Sequence, residues 1–245
     1  MTTPEYEKVF QVFRHDGDHL GNMKPGALLR YAQQIATEHA ESAGLTDAVY
    51  TETHTAFVLA KMALHLARPV RVDELLTVVT QPERTKRAEN KRITRVRDEK
   101  GEEVALLDSR WVLIDTEKRA ILRTRPAQFD ESWAQDVPCE LPMKMNKVKW
   151  EDCTPLGQRT AAYSLCDMNG HLNNTRYADI ICDALPMEVW DTGTVQDMLI
   201  FYHREVPRGQ TFELARARTG DDQWYVAARR EGQSAFEASV TFRPL

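Results

Sequence analysis

Residues 166–177 read Cys166-Asp167-Met168-Asn169-Gly170-His171-Leu172-Asn173-Asn174-Thr175-Arg176-Tyr177. An acid, an amide and an imidazole stand at alternate positions, directly before a segment with helical spacing. A helix start offers unpaired backbone N–H groups and the positive end of the helix dipole, which together polarise a carbonyl placed there as its oxygen gains negative charge. Asp167, Asn169 and His171 beside such donors are equipped to activate water. The same residue types also form turns and cap helices, which is the ordinary role expected of Asn173 and Asn174.

Outward from this turn, the chain repeats one order of elements. In the first half, 6–13 reads as a strand, 15–23 as a polar turn and 25–43 as an amphipathic helix. Pro25 suits a first helical turn, Leu28, Leu29, Ala32, Ile35, Ala36, His39, Ala40 and Ala43 recur at helical spacing, and Gly44 supplies a stop. Segments 56–67, 75–83, 91–98 and 103–114, rich in Val, Leu, Ile and Thr, predict an antiparallel sheet. In the second half, a strand over 159–165 leads through the Asp167 turn to a helix near 174–185, ended by Pro186. Strands follow near 196–205, 211–219, 223–231 and 234–243. The expected fold class is α+β, with one long helix per half wrapped by an antiparallel sheet. The units are 1–125 and 151–245, and the proline-bearing stretch 126–150 links them. Two short echoes accompany the repeat: His19-Leu20-Gly21-Asn22 with His171-Leu172-Asn173-Asn174, and Arg30-Tyr31-Ala32 with Arg176-Tyr177-Ala178.

Composition sets limits on function. With 42% hydrophobic and 28% charged residues, the chain is that of a globular protein. No apolar run approaches the roughly 18 residues of a membrane span. The amino terminus lacks the layout of a secretory signal, so the cytoplasm is the expected compartment. Cys139, Cys153, Cys166 and Cys182 form no C-x-x-C pair, which suggests neither a zinc ribbon nor a redox site. A net charge of −5 argues against general nucleic-acid binding. One local exception is Arg84, Lys86, Arg87, Lys91, Arg92, Arg95 and Arg97 against the single acid Glu89, which is either a solvated strand face or a dock for an acidic partner. There is no G-x-S-x-G elbow, no phosphate loop and no H-E-x-x-H zinc motif. His15 and His19 lie in a turn rather than on a helix, so no metal is expected.

The segment Asp167-Met168-Asn169-Gly170-His171-Leu172-Asn173-Asn174 resembles the D-x-N-x-H-x-N-N signature of the fatty acyl-ACP thioesterases of plants and bacteria. Tyr202-His203-Arg204-Glu205 is similar to that family's second motif, a strand ending in a glutamate. The resemblance implies a tandem (double) hotdog fold, hydrolysis of fatty acyl-ACP to free fatty acid and holo-ACP, and no cofactor. It also implies catalytic roles for Asp167, Asn169, His171 and Glu205. Its partner is acyl carrier protein bearing a phosphopantetheine-linked acyl chain. Arg84, Lys86, Arg87, Lys91 and Arg92 are the candidate dock for that acidic carrier. The amino-terminal unit is expected to hold the acyl chain between the helix from Pro25 and the strands near 57–66 and 104–113. A double hotdog chain mimics the dimer of single hotdogs, and a further homodimer is compatible with it.

One departure matters. Many plant members carry a cysteine after the glutamate, where this chain has Val206, so the resemblance implies attack by water rather than by a thiol. Cys166 is the one thiol near the turn and reads as a small buried hydrophobe. Glu205 is the preferred base, with Asp167 as the alternative, and backbone N–H groups of Leu172, Asn173 and Asn174 are the expected oxyanion donors. Matching Pro69 to Pro207 puts Ala67 opposite Glu205, so the first unit lacks this chemistry. Two other readings stay open: a hotdog hydroxyacyl dehydratase or hydratase, and a non-catalytic acyl-binding regulator.

Overall fold

The computed structural model describes residues 3–131 and 134–245. The first half comprises β1 (Tyr6–Gln11), α1 (Pro25–Ser42), α2 (Asp47–Thr53), β2 (Thr55–Leu66), β3 (Leu75–Pro82), β4 (Glu89–Arg97), β5 (Glu103–Asp115) and β6 (Ala120–Ile121). The second comprises β7 (Thr154–Thr160), α3 (Arg176–Asp183), α4 (Glu188–Thr192), β8 (Gly193–Tyr202), β9 (Thr211–Arg218), β10 (Gln223–Arg230) and β11 (Gln233–Pro244). Each half winds an antiparallel sheet around its own helix, in the order β1-β3-β4-β5-β2 and β8-β11-β10-β9-β7.

The two sheets join edge to edge. Strands β2 and β8 pair antiparallel from Lys61 opposite Phe201 to His65 opposite Asp197, so the whole is one continuous sheet. Pairing satisfies two rows of backbone N–H and C=O groups that would otherwise be exposed edges. Inward side chains of both halves then share one core with Leu28, Leu29 and Ile35 of α1 and Ile180 and Ile181 of α3. Gly26 lets the helices approach, since a Cβ there would lie 2.0 Å from Asp179 Oδ1.

Several elements differ from expectation. The second helix is shorter than 174–185, because Asn173 O already accepts from Arg176 N and the chain turns before α3 begins. Strand β7 stops at Thr160, and Tyr163–Leu165 forms a 3-10 turn. Strand β8 stops at Tyr202, so Glu205 lies in the loop beyond it rather than on the strand. The short helices α2 and α4 bury no residue fully, which leaves little apolar periodicity to announce them.

The segment read as a linker packs against the sheet's outer face. Val137 clusters with Ile93 and Leu106, and Met145, Val148 and Trp150 pack with Tyr225 and Ala227. Beneath it Lys91 Nζ donates to Val137 O at 2.8 Å and sits 3.3 Å from Glu83 Oε2. Burial alone would raise the Glu83 pKa, but hydrogen bonds from Lys86 and Lys91 hold it below the usual carboxylate range.

The two halves also repeat one hydrogen-bond scheme. Asp18 N donates to Asn22 O as Asp167 N does to His171 O, and Met23 N to Val70 O as Leu172 N to Val206 O. Val72 N bonds Gly21 O as Arg208 N bonds Gly170 O, while Lys24 N bonds Asp16 O as Asn173 N bonds Leu165 O. Asp18 therefore corresponds to Asp167, Asn22 to His171, Pro25 to Asn174 and Pro69 to Glu205. This corrects the match of Ala67 to Glu205. It also shifts both echoes by three residues: His19 corresponds to Met168 rather than His171, and Arg30 to Asp179 rather than Arg176. Arg30 and Asp179, counterparts of each other, meet at 2.9 Å.

Candidate active site

Asp167 organises the turn that carries His171. Its Oδ1 accepts from Asn169 N at 3.0 Å and its Oδ2 from Asn173 Nδ2 at 3.1 Å. Its carbonyl accepts from the N–H of Gly170, whose φ of +77° favours glycine. With one hydrogen bond to each oxygen, this carboxylate holds the geometry of the turn. The Asn169 side chain is exposed, and only its backbone N–H enters the turn network.

The turn is fastened to the loop after β8 by Leu172 N to Val206 O at 2.8 Å and Arg208 N to Gly170 O at 2.9 Å. This brings Glu205 against His171, with Nε2 and Oε2 3.6 Å apart. The other carboxylate oxygen lies 3.5 Å from Arg119 Nη2, on the turn before β6, so the first half reaches the site. Arg119 had no motif to mark it, and neither Arg204 nor Arg208 pairs with Glu205 among the described contacts. At 51% side-chain exposure Glu205 remains open to water. Tyr177 beneath is 2% exposed, and burial raises its phenol pKa well above the ordinary value.

The expected oxyanion donors are corrected by the same hydrogen bonds. Leu172 N–H is taken by Val206 O and Asn173 N–H by Leu165 O. Among the described residues, Asn174 N–H is the one of the three without a protein acceptor. Asn174 and Thr175 line a narrow cleft that runs between α1 and the sheet. Leu29, Ala32 and Ala36 of α1, Leu59 and Met62 of β2, and Leu107 and Trp111 of β5 give it apolar walls. These are the elements expected to enclose a chain. Tyr202 closes it near Asn174, donating its hydroxyl to Asn174 O at 3.0 Å.

The basic stretch divides by strand alternation. Arg84, Lys86 and Arg87 are exposed around the turn before β4. Lys91 is buried under the connecting segment, and Arg92 faces α1 and the cleft, so neither belongs to a surface dock. Cys166 donates to Ala161 O at 3.6 Å, away from any acid–base partner, and all four cysteines are free. His15 and His19 face different carboxylates, Asp16 and Asp191.

A sheet wrapped around a helix, repeated in one chain and joined edge to edge, defines a double hotdog. Solved structures share it. An acyl-ACP thioesterase from Bacteroides thetaiotaomicron matches with a TM-score of 0.87 at 24% identity, covering 98% of both chains. A 12:0-ACP thioesterase from Umbellularia californica matches at 0.84 and 17% identity, over 100% of this chain and 99% of that one. Residues 3–131 match the acyl-ACP thioesterase N-terminal domain and residues 158–244 the acyl-ACP thioesterase C-terminal domain. The chain belongs to the acyl-ACP thioesterase family. A relative in Arabidopsis thaliana, the chloroplastic oleoyl-acyl carrier protein thioesterase 1, is 23% identical over 208 residues, 77% of this chain and 57% of its own length. Oleoyl-acyl carrier protein thioesterase 2 is 24% identical over 71% of this chain and 52% of its own. The chain thus spans about half the length of these curated relatives.

Proposed function

We propose that this chain hydrolyses the thioester of fatty acyl-ACP, releasing free fatty acid and holo-ACP and so ending chain elongation. The observation that carries the reading is the His171–Glu205 pair, held by backbone bonds close to an apolar cleft lined by Asn174, the residue whose N–H has no protein acceptor among the described residues. Units 1–125 and 151–245 divide the work: the first supplies most of the cleft, the second the acid–base residues.

In this mechanism Glu205 takes a proton from water, with His171 orienting the water or sharing the proton. The water oxygen bonds the carbonyl carbon, and the resulting oxyanion accepts the Asn174 N–H. Collapse breaks the C–S bond, and the proton passes to the departing thiolate. Asp167 positions the turn. Arg84, Lys86 and Arg87, the exposed members of the basic stretch, meet the acidic carrier. Four free thiols suit the reducing cytoplasm, and no helix among the described residues is long and apolar enough to cross a membrane.

The test is thiol release from a panel of acyl-ACP and acyl-CoA thioesters, with double-bond absorbance followed in parallel. Release favouring acyl-ACP supports the reading. An absorbance change without thiol would mean a dehydratase, and binding without either change an acyl-binding regulator.

A further inference from the structure

We propose that Arg92 reads the far end of the acyl chain, and that the preferred substrate carries an oxygen function there instead of a plain methyl group. This inference rests on the thioesterase reading above and names the substrate class of that same cleft.

Along β4 the cleft is lined by Thr94 and Arg92, so this wall is polar where the facing α1 wall of Leu29, Ala32 and Ala36 is apolar. Arg92 Nη1 donates to Thr80 Oγ1 at 3.1 Å and lies 3.3 Å from His39 Nδ1. Among the described residues no carboxylate lies within ion-pair distance of Arg92, and no protein acceptor meets Nε or Nη2. A guanidinium has five N–H donors, so those on Nε and Nη2 remain for a ligand. Burial draws its pKa down to about 10, still far above neutrality, so it stays charged. Neighbouring Ser109 and Thr94 line the same wall, with their hydroxyls donated to Arg92 O and Thr80 Oγ1.

A charge in an apolar cleft is costly unless it is paired. A terminal carboxylate or hydroxyl would supply acceptors in the planar fork that arginine presents. A methyl end would leave the charge desolvated and unanswered. The dimensions agree. In the sheet, β8 carrying Tyr202 is followed by β2, β5 and β4. Three inter-strand spacings amount to roughly 14 Å, the span of about a dozen bonds of an extended chain at ~1.2 Å per bond.

The experiment compares kcat/KM for dodecanoyl-, 12-hydroxydodecanoyl- and 11-carboxyundecanoyl-ACP in wild type, Arg92→Met and Arg92→Lys. An oxygen-ended chain should lead dodecanoyl by about tenfold or more in wild type. The preference should shrink in Arg92→Lys and vanish or invert in Arg92→Met. Wild type cleaving dodecanoyl as fast as or faster than both others would overturn the inference while leaving the thioesterase reading intact, and needs no variant to fold. Thermal shifts with free dodecanoic and dodecanedioic acid separate the two readings further. If no thioester is cleaved, a larger shift by the diacid in wild type that is absent in Arg92→Met still supports the Arg92 site. Equal shifts would sink it.

Discussion

Glu205 and Pro69 occupy the same position in the two halves, each immediately before the valine, Val206 or Val70, whose carbonyl accepts the turn N–H. The same correspondence sets His171 against Asn22 and Asn174 against Pro25. The first turn keeps its aspartate, Asp18, but has Pro69, Asn22 and Pro25 where the second half has Glu205, His171 and Asn174. One backbone design thus serves twice, as the proposed site in the second half and as a plain corner in the first.

Asn174→Pro copies the first half. Pro25, the first residue of α1, shows that this corner accepts proline, so folding should survive while the proposed oxyanion donor is lost. A fall in kcat of about 100-fold or more is expected, the usual effect of removing one such donor. Steady-state thiol release together with circular dichroism checks it; a folded variant with wild-type kcat would remove Asn174 from the mechanism.

Asp18→Ala and Asp167→Ala should separate stability from rate. Each removes a side-chain acceptor from a turn amide, Leu20 N in one case and Asn169 N in the other. A stability loss on the order of 1 kcal/mol is expected from each. Only Asp167→Ala should lose turnover, because only its turn sets an imidazole, His171, against Glu205. Urea unfolding and kcat measured on both variants decide the point, and an equal rate loss from Asp18→Ala would contradict it.

The ion pair beneath the connecting segment should resist single but not paired replacement. Glu83 and Lys91 are 7% and 8% exposed, so Glu83→Ala strands a buried ammonium at a cost of about 3 kcal/mol or more. Glu83→Leu with Lys91→Met should recover most of it. A double-mutant cycle by denaturant unfolding measures the coupling.

Acid should weaken the fold in two stages. Burial, with Arg92 alongside, holds His39 below the ordinary imidazole value. The unfolded chain then binds more protons, so this stability is complete above about pH 6.5 and lost as pH falls toward the folded pKa. Glu83 and Glu237, both held low by donors that outweigh burial, give a second loss of the same sign below about pH 4.5. Melting temperature should therefore fall between about pH 7 and 5 in wild type, and less in His39→Gln.

The helix α1 was legible because Pro25, the aliphatic spacing and Gly44 all act locally. The Asp167 turn was legible for the same reason: an aspartate, a glycine and an asparagine make it without distant help. The free N–H of Asn174 was not, since Val206 and Leu165 decide which N–H groups are engaged, and both partners lie outside the motif. Strand alternation hid Arg92, because five basic residues in a row of candidates give no sign of which face each takes until β4 is in register. The repeat is readable as an order of elements, but its register is not. Matching letters tied His19 to His171, whereas the turns share hydrogen bonds and not side chains.

The most direct measurement is kcat for thiol release from acyl-ACP by Glu205→Gln against wild type, with the melting temperature of both. Half exposed and held by long contacts, Glu205 should contribute little to folding. The account predicts a loss of about 100-fold or more in kcat at unchanged melting temperature. Near-wild-type turnover in the folded variant would contradict it and return the role of base to Asp167.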